Sequence, residues 1–272
     1  MKKEFFAAVL ILCICGSVTF AISPMGPPTA SLEKGQWDIG LDYSSSEIDL
    51  KLKDIKGTSF FIWDEARDIE IKNTFGKLAH GINDNWEISV DFGVSKSEYR
   101  EAISWMEAGH LETVLLDYES DTSFAAQLGT KATLYENGPL GLGALFQVNW
   151  ASLDGDYTEM SWTDNIFNDS GTGELDADIM VFKFAAGVSY EFGSNLNIYG
   201  GPLWQWIDGD GEADGKSGSA LGEGGKGDIK QDSTFGGWIG FHTDLGSNMA
   251  IDYELQLTGS SHTYGFSLVK KF

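Results

Sequence analysis

The chain has 272 residues, and its 41 Asp and Glu outnumber its 18 Lys and Arg, so the formal net charge is −23 at pH 7. Such a balance argues against a nucleic-acid partner, because a phosphate backbone repels carboxylates. It suits a surface that faces water and divalent cations. Beyond the N-terminal region, no apolar run approaches the roughly eighteen residues that indicate a transmembrane helix.

A basic start and an apolar run open the chain. Residues 5–20 are almost entirely apolar, and Ala21 follows at a position suited to cleavage. This pattern predicts a secretory signal peptide over 1–21. An uncleaved anchor helix is the alternative, but the run of about sixteen residues is short of the roughly twenty that span a bilayer. Cys13 and Cys15 both lie in this segment, so the mature chain would have no cysteines and no disulfides.

The next stretch, 22–35, contains Pro24, Pro27 and Pro28, three of the five prolines in the chain. Proline and glycine at this density predict an extended, flexible leader. About ten segments with the alternation of β-strands then follow. They are 36–45, a strand ending at 82, 86–95, 123–134, 140–153, 179–192, 196–207, 234–245, 249–257 and a final strand to 272.

Each of these segments has two different faces. One face is apolar and rich in aromatic residues, and the other holds mainly Gly, Ala and Ser with scattered charges. A soluble sheet rarely carries so much glycine on its solvent face, whereas a narrow barrel needs small inward residues. The alternation slips between Phe75 and Leu78, which predicts a β-bulge near Gly76.

The connections also alternate. Short turns lie near 83, 137, 194 and 247, and long polar segments occupy 46–66, 96–122, 154–177 and 208–232. Short turns at one end and long loops at the other are typical of transmembrane β-barrels. The sequence therefore predicts an all-β fold, a closed antiparallel up-and-down barrel over 36–272 with about ten strands. Eight or twelve strands stay open, because 48–53, 58–62 and 111–116 could extend strands or form further hairpins.

The last strand carries the clearest resemblance. Tyr264, Phe266, Leu268 and the terminal Phe272 are large and apolar, and smaller or polar residues alternate with them. This pattern resembles the closing strand of bacterial outer-membrane β-barrel proteins, in which a terminal Phe is the usual assembly signal. The resemblance implies a monomer in the outer membrane that contacts lipid and lipopolysaccharide. It also implies that the barrel assembly machinery binds the strand ending at Phe272.

The aromatic residues on the apolar face fall at two levels. Amphipathic rings prefer the headgroup zone, so we expect these levels to mark the two membrane interfaces. The alternative is that they form the core of a soluble β-protein. The expected interface residues are Trp37, Trp86, Tyr190, Phe192 and Phe272 at the periplasmic ends of strands and Trp150, Trp204 and Trp206 towards the outside.

Charged residues on the opposite face would lie inside the barrel. At about ten strands the lumen is nearly filled by side chains, so we expect a mutually satisfied polar plug. A structural or surface-interaction role through acidic outside loops follows from a plugged lumen, and a narrow porin-like channel is the alternative. The expected interior network is Lys77, Glu87, Asp91, Lys131, Lys183, Glu191, His242, Asp252 and Glu254.

The turns also predict strand register. A one-residue slip would reverse every side chain, so these pairings test the turn assignments. The predicted pairs are Phe192 with Leu196, Phe184 with Trp204, Phe182 with Trp206, Ile82 with Trp86, Lys77 with Asp91, Leu245 with Met249, His242 with Asp252, Gly240 with Glu254, Leu257 with Tyr264, Leu255 with Phe266 and Met249 with Phe272.

A surface hydrolase is the third functional possibility. His242 with Asp252 is a carboxylate–histidine pair, and His262 lies beside Ser260 and Ser261. A hydrolase also needs a nucleophile or activated water within reach, and no Gly-x-Ser-x-Gly motif is present. The omptin proteases are ten-stranded barrels, but the chain resembles them in strand number only. We therefore do not expect an enzyme.

One acidic run resembles a calcium-binding loop. Asp208, Asp210, Glu212 and Asp214 alternate with small residues, and carboxylates at such spacing can converge on a hard cation when the chain turns. Ala213 occupies the place of the glycine that such loops require. A flexible acidic loop without metal is the alternative, and we expect no other cofactor.

Overall fold

The structure is a computed structural model that describes residues 23–57, 65–107, 109–193, 195–215, 225–231 and 234–272. The predicted signal peptide, 1–21, and the stretch 58–62 that could extend a strand lie outside the described residues. In the part of the chain that is described, no helix is long and apolar enough to cross a membrane.

The described chain forms antiparallel β-strands in a single sheet. Alternating side chains and tight turns explain most of the strand boundaries. The strands are β1 (Trp37–Gly57), β2 (Glu65–Asn83), β3 (Trp86–Glu107), β4 (His110–Ser120), β5 (Ser123–Asn137), β6 (Leu140–Thr163), β7 (Ile166–Phe192), β8 (Leu196–Gly215), β9 (Gly225–Gln231), β10 (Phe235–Gly246), β11 (Met249–Thr258) and β12 (Ser261–Lys271).

Ten of these strands form a closed ring. The ring runs β1-β2-β3-β5-β6-β7-β8-β10-β11-β12, and β12 pairs with β1 to complete it. The predicted all-β barrel with ten strands is confirmed. The short turns after β2, β5, β7 and β10 lie at the end of the ring where β1 begins and β12 ends. We name this end the turn end. The opposite end is named the distal end.

A second ring of eight strands continues from the first at the distal end. There β4 takes the place of β5 between β3 and β6, and β9 takes the place of β10, β11 and β12 between β8 and β1. The interpretation of 46–66, 96–122, 154–177 and 208–232 as loops is therefore wrong for most of their described residues. They are long strand extensions and two additional strands: β4 contains the stretch 111–116 that was left open as a further strand, whereas β9 lies in a run that was expected to be a loop.

The polarity of the two strand faces reverses between the rings. On β8, Trp204 and Trp206 face outward in the first ring, and Asp208 and Asp210 continue the same outward face in the second. The inward face of β8 changes in the opposite sense, so that Ala213 lies in a buried apolar cluster. The distal ring thus has an apolar interior and a charged exterior, as in a water-soluble β-barrel.

Most of the predicted register is confirmed. Phe192 pairs with Leu196, and the same alignment pairs Phe184 with Trp204 and Phe182 with Trp206. The other confirmed pairs are Lys77 with Asp91, His242 with Asp252 and Gly240 with Glu254.

The errors lie at three connections. Trp86 pairs with Asn83 rather than Ile82, and Met249 does not pair with Leu245 but with Gly246. In both hairpins a one-residue irregularity next to the turn absorbs the difference, so the pairing farther along is unchanged. Between β11 and β12 the connection is shorter than expected, and the predicted register is wrong by two residues. The observed pairs are Leu257 with His262, Leu255 with Tyr264 and Met249 with Lys270.

The predicted bulge near Gly76 is also wrong. The pairing of β2 runs without interruption past Gly76 on both of its neighbours. Phe75 faces the lumen and is completely buried, whereas Leu78 faces outward and is exposed. The alternation slips because Phe75 is an aromatic residue on the inward face.

Candidate functional site

The leader lies inside the turn end of the barrel. The sequence predicts a flexible segment, but in the structure Met25 and Leu32 are almost completely buried. Both carboxylate oxygens of Glu254 accept backbone hydrogen bonds, one from the N–H of Met25 at 3.0 Å and one from that of Gly26 at 2.9 Å. A prolyl-rich segment has few N–H groups to satisfy, so a short extended chain can be buried with few partners.

A second carboxylate holds the other end of the leader. Glu87 accepts hydrogen bonds from the backbone N–H groups of Ser31 at 2.7 Å and Leu32 at 3.3 Å. Lys131 lies 3.4 Å from the same carboxylate. Lys271, on the closing strand, donates to the carbonyl oxygen of Ser31 at 3.0 Å. The leader is thus fixed to opposite sides of the ring.

The rest of the predicted interior network is largely assembled. Lys77 lies 3.9 Å from Asp42, and Asp91 accepts a hydrogen bond from Gln127. Lys183 donates to Gln256 at 2.7 Å. Because every buried charge needs a partner, such mutual pairing favours a fixed lumen.

Glu191 is the exception among the predicted interior residues. It is exposed at the rim of the turn end, because β7 ends one residue later. Three further residues are buried partners of the network, although the sequence pattern did not single them out: Asp42, Gln127 and Gln256. Asp42 could have been found from the alternation along β1, because it lies on the same inward face as Asp38 and Gly40.

Two cavities in the lumen are about the size of single water molecules. One of about 10 Å³ lies beside Met25, Glu87 and Lys131. The other, of about 20 Å³, lies nearer the distal end, beside Asn73 and Asn149. A water molecule needs roughly 10–15 Å³ of such space, so these cavities do not hold a solute.

A larger cavity lies inside the distal ring. Its volume is about 100 Å³, and aromatic and aliphatic side chains form most of its wall. Tyr99, Tyr118 and Tyr157 are consecutive cross-strand partners on β3, β4 and β6, so they form one inward row. The row ends at Gly173, which pairs with Tyr157. A Cβ at that position would come within 2.3 Å of the tyrosine ring, so only glycine allows the ring to lie there.

The eight aromatic residues expected at the membrane interfaces are exposed on the outer face of the barrel. Several of them contact other rings: Phe182 stacks on Trp206 with centroids 5.0 Å apart, and Tyr190 lies 4.8 Å from Phe192. The relative exposures are Trp37 46%, Trp86 45%, Tyr190 43%, Phe192 53%, Phe272 63%, Trp150 36%, Trp204 54% and Trp206 39%.

The acidic run that resembles a calcium-binding loop is not a loop. Asp208, Asp210, Glu212 and Asp214 lie on the outward face of β8, where alternate side chains are about 6.5–7 Å apart and cannot converge on one ion. Asp208 pairs with Lys230 and Glu212 pairs with Lys226. Within the described residues, no group of three or more Asp, Glu, His or Cys side chains could hold a metal ion.

The two histidines considered for a hydrolase, His242 and His262, have acidic partners. The Nδ1 atom of His242 lies 2.7 Å from Asp252 in the lumen, and its Nε2 atom lies 3.6 Å from Asp244. The Nε2 atom of His262 lies 2.6 Å from Glu47. Ser260 accepts a hydrogen bond from Gln231 at 3.1 Å. These contacts fix the side chains in place.

His110 and Asp164 form a further pair at the distal end. The Nδ1 atom of His110 lies 2.7 Å from the carboxylate of Asp164. This hydrogen bond raises the pKa of His110, and together with a bond from the backbone N–H of Leu111 it lowers the pKa of Asp164. Both side chains are exposed, so solvent screens the interaction.

The fold matches that of known outer-membrane barrels. The outer membrane protease OmpT from Escherichia coli aligns with a TM-score of 0.51 and 10% identity over 87% of this chain and 96% of its own. The toluene transporter TbuX of Ralstonia pickettii aligns with a TM-score of 0.43 and 13% identity, over 89% of this chain and 90% of its own. No family model and no curated protein sequence matches the chain.

The chain has the fold of the bacterial outer-membrane β-barrel proteins. At these identities the comparison concerns the fold alone, so the protease activity of OmpT is not evidence for activity here.

Proposed function

We propose that the protein is a monomeric, non-conducting barrel of the bacterial outer membrane that presents its distal ring at the cell surface for interaction. The observation that carries this proposal is the leader inside the lumen. Glu87 and Glu254 hold it from both sides, and Lys271 binds its backbone. Charged and polar side chains fill the lumen beyond it, so the path for ions or solutes is closed.

The outer surface supports the membrane location. An exposed apolar and aromatic belt surrounds the ten-stranded ring, as lipid contact requires. The charged outer face of the distal ring begins immediately beyond this belt, between Trp206 and Asp208 on β8. Its carboxylates would face the lipopolysaccharide layer, where divalent cations can bridge them to phosphate groups. Phe272, exposed at the end of the closing strand, is available to the assembly machinery during insertion.

Planar-bilayer recording tests the closed lumen. The full chain is refolded and inserted, and its state is verified by heat-modifiable gel mobility and by flotation with liposomes. We expect no stable conductance steps from the full chain. A matched variant lacking residues 23–34 removes the leader but keeps every strand, and we expect it to show brief openings. Steady conductance steps from the full chain would show that the alternative, a narrow channel, is correct.

A further inference from the structure

The apolar cavity of the distal ring has no role in the closed-lumen function. It lies above the polar network, and the aliphatic cluster around Leu50, Leu153 and Ile179 separates the two. Protein interiors are close-packed, and voids larger than a water molecule are few. At about 100 Å³ this cavity has room for several water molecules, yet its wall provides them with few hydrogen-bond partners.

We propose that this cavity is a binding site for a small uncharged molecule made mainly of hydrocarbon, about the size of one aromatic ring. The volume is of the same order as the roughly 150 Å³ apolar cavity that is known to bind benzene in another protein. The row of Tyr99, Tyr118 and Tyr157 provides the ring edges and faces against which a flat apolar ligand packs.

The wall also excludes charged ligands. Leu116, Ala66 and Ala213 complete the apolar cluster around the tyrosines, so an ion would lose its hydration without gaining a partner. The two charged residues that border the cavity, Glu212 and Lys226, pair with each other. The hydroxyl group of Tyr99 donates to Glu101, which leaves the ring available for apolar contact.

The site captures its ligand without passing it through the membrane. The next space below it holds about 20 Å³, too little for a ring-sized solute, and Asn73 and Asn149 lie at its polar side. Phe75 is completely buried close to this level. Binding at the distal ring therefore serves recognition or retention of the ligand at the cell surface.

Calorimetric titration with benzene tests the site, with the full chain in amphipol so that the ligand does not partition into detergent micelles. We expect saturable binding at one site. Ala213→Leu places a larger side chain in the cavity and should weaken binding by about tenfold or more. Ala102→Leu makes the same change on the exposed outer face of β3 and should leave the affinity within about twofold.

A second variant separates loss of the site from misfolding. Leu116→Ala enlarges the cavity, so this variant should bind naphthalene at least about tenfold more tightly than the unchanged chain does. Heat-modifiable mobility verifies that each variant is folded. Absence of saturable benzene binding, or equal affinity in Ala213→Leu and Ala102→Leu, would overturn the proposal. Neither result depends on whether the lumen conducts.

Discussion

Glu254 accepts hydrogen bonds from the backbone of Met25 at 3.0 Å and of its neighbour Gly26. These two donors lie 229 and 228 positions before Glu254 in the chain. The carboxylate is on β11, in the wall of the barrel, and its partners are backbone groups of the leader. Two backbone donors to one buried carboxylate form a strong, charge-assisted contact. The position of the first part of the leader therefore depends on this side chain of the wall, while Glu87 and Lys271 hold the other end.

Glu254→Ala should release the first part of the leader. Hydrogen bonds to a charged group are each worth about 1.5–3 kcal/mol, so the amides of Met25 and Gly26 should lose much of their protection. Hydrogen exchange of these amides in the refolded protein measures the effect. Glu191→Ala is the matched control, since that carboxylate is exposed at the rim. Unchanged protection in Glu254→Ala would mean that this carboxylate does not hold the first part of the leader.

The pair of Asp252 and His242 should stabilise the barrel. Asp252→Asn removes a buried, charge-assisted bond of 2.7 Å and should lower the free energy of unfolding by about 1.5–3 kcal/mol. Asp244→Asn changes an exposed carboxylate 3.6 Å from the same ring and should cost less than about 1 kcal/mol. Urea unfolding of both variants in lipid bilayers provides the comparison, and equal losses would argue against this prediction.

The pair of His110 and Asp164 should make the distal end sensitive to pH. The pKa of His110 in the folded protein is raised above its ordinary 6.5. Its contribution to stability is therefore complete below pH 6.5 and is lost as the pH rises through the raised pKa. The pKa of Asp164 is lowered below 3.8, so its contribution is present above 3.8 and is lost as the pH falls through the folded value. The pair is therefore intact between these two limits.

NMR titration of the His110 ring measures this coupling directly. Asp164→Asn removes the acceptor charge, so the pKa of His110 should fall back towards 6.5. Asp117→Asn removes a carboxylate elsewhere on β4, one that lies 3.6 Å from Arg100, and should leave the titration unchanged. A His110 pKa that does not respond to Asp164→Asn would contradict the hydrogen bond.

Calcium should not bind specifically to the acidic face of β8. The carboxylates of Asp208, Asp210, Glu212 and Asp214 are spread along a strand, and two of them have lysine partners. Calorimetry with calcium at millimolar concentration should therefore show no saturable site. Saturable binding that is lost in Asp210→Asn would show that this stretch leaves the strand and closes around an ion.

Local patterns were enough to predict the ten-stranded ring. In the sequence, the turn residues between β7 and β8 predict the first pair, Phe192 with Leu196, and the antiparallel ladder then carries the register to Trp206. Small errors at a turn are absorbed next to it, as at Gly246. The connection after β11 was assigned without a turn signal, so the register of β12 was wrong by two residues, although its faces were correct.

For most residues of the ten-stranded ring, the sequence by itself determined which side chains face outward and which face the lumen, because that alternation depends only on neighbours along a strand. Tertiary structure alone decided that the leader enters the barrel, since Glu87 and Glu254 are distant in sequence from the backbone they bind. It also decided that β4 and β9 complete a second ring with an apolar interior. That ring and the cavity within it form because β4 replaces β5 and β9 replaces β10, β11 and β12 at the distal end. These replacements are set by pairing between strands that are distant in sequence.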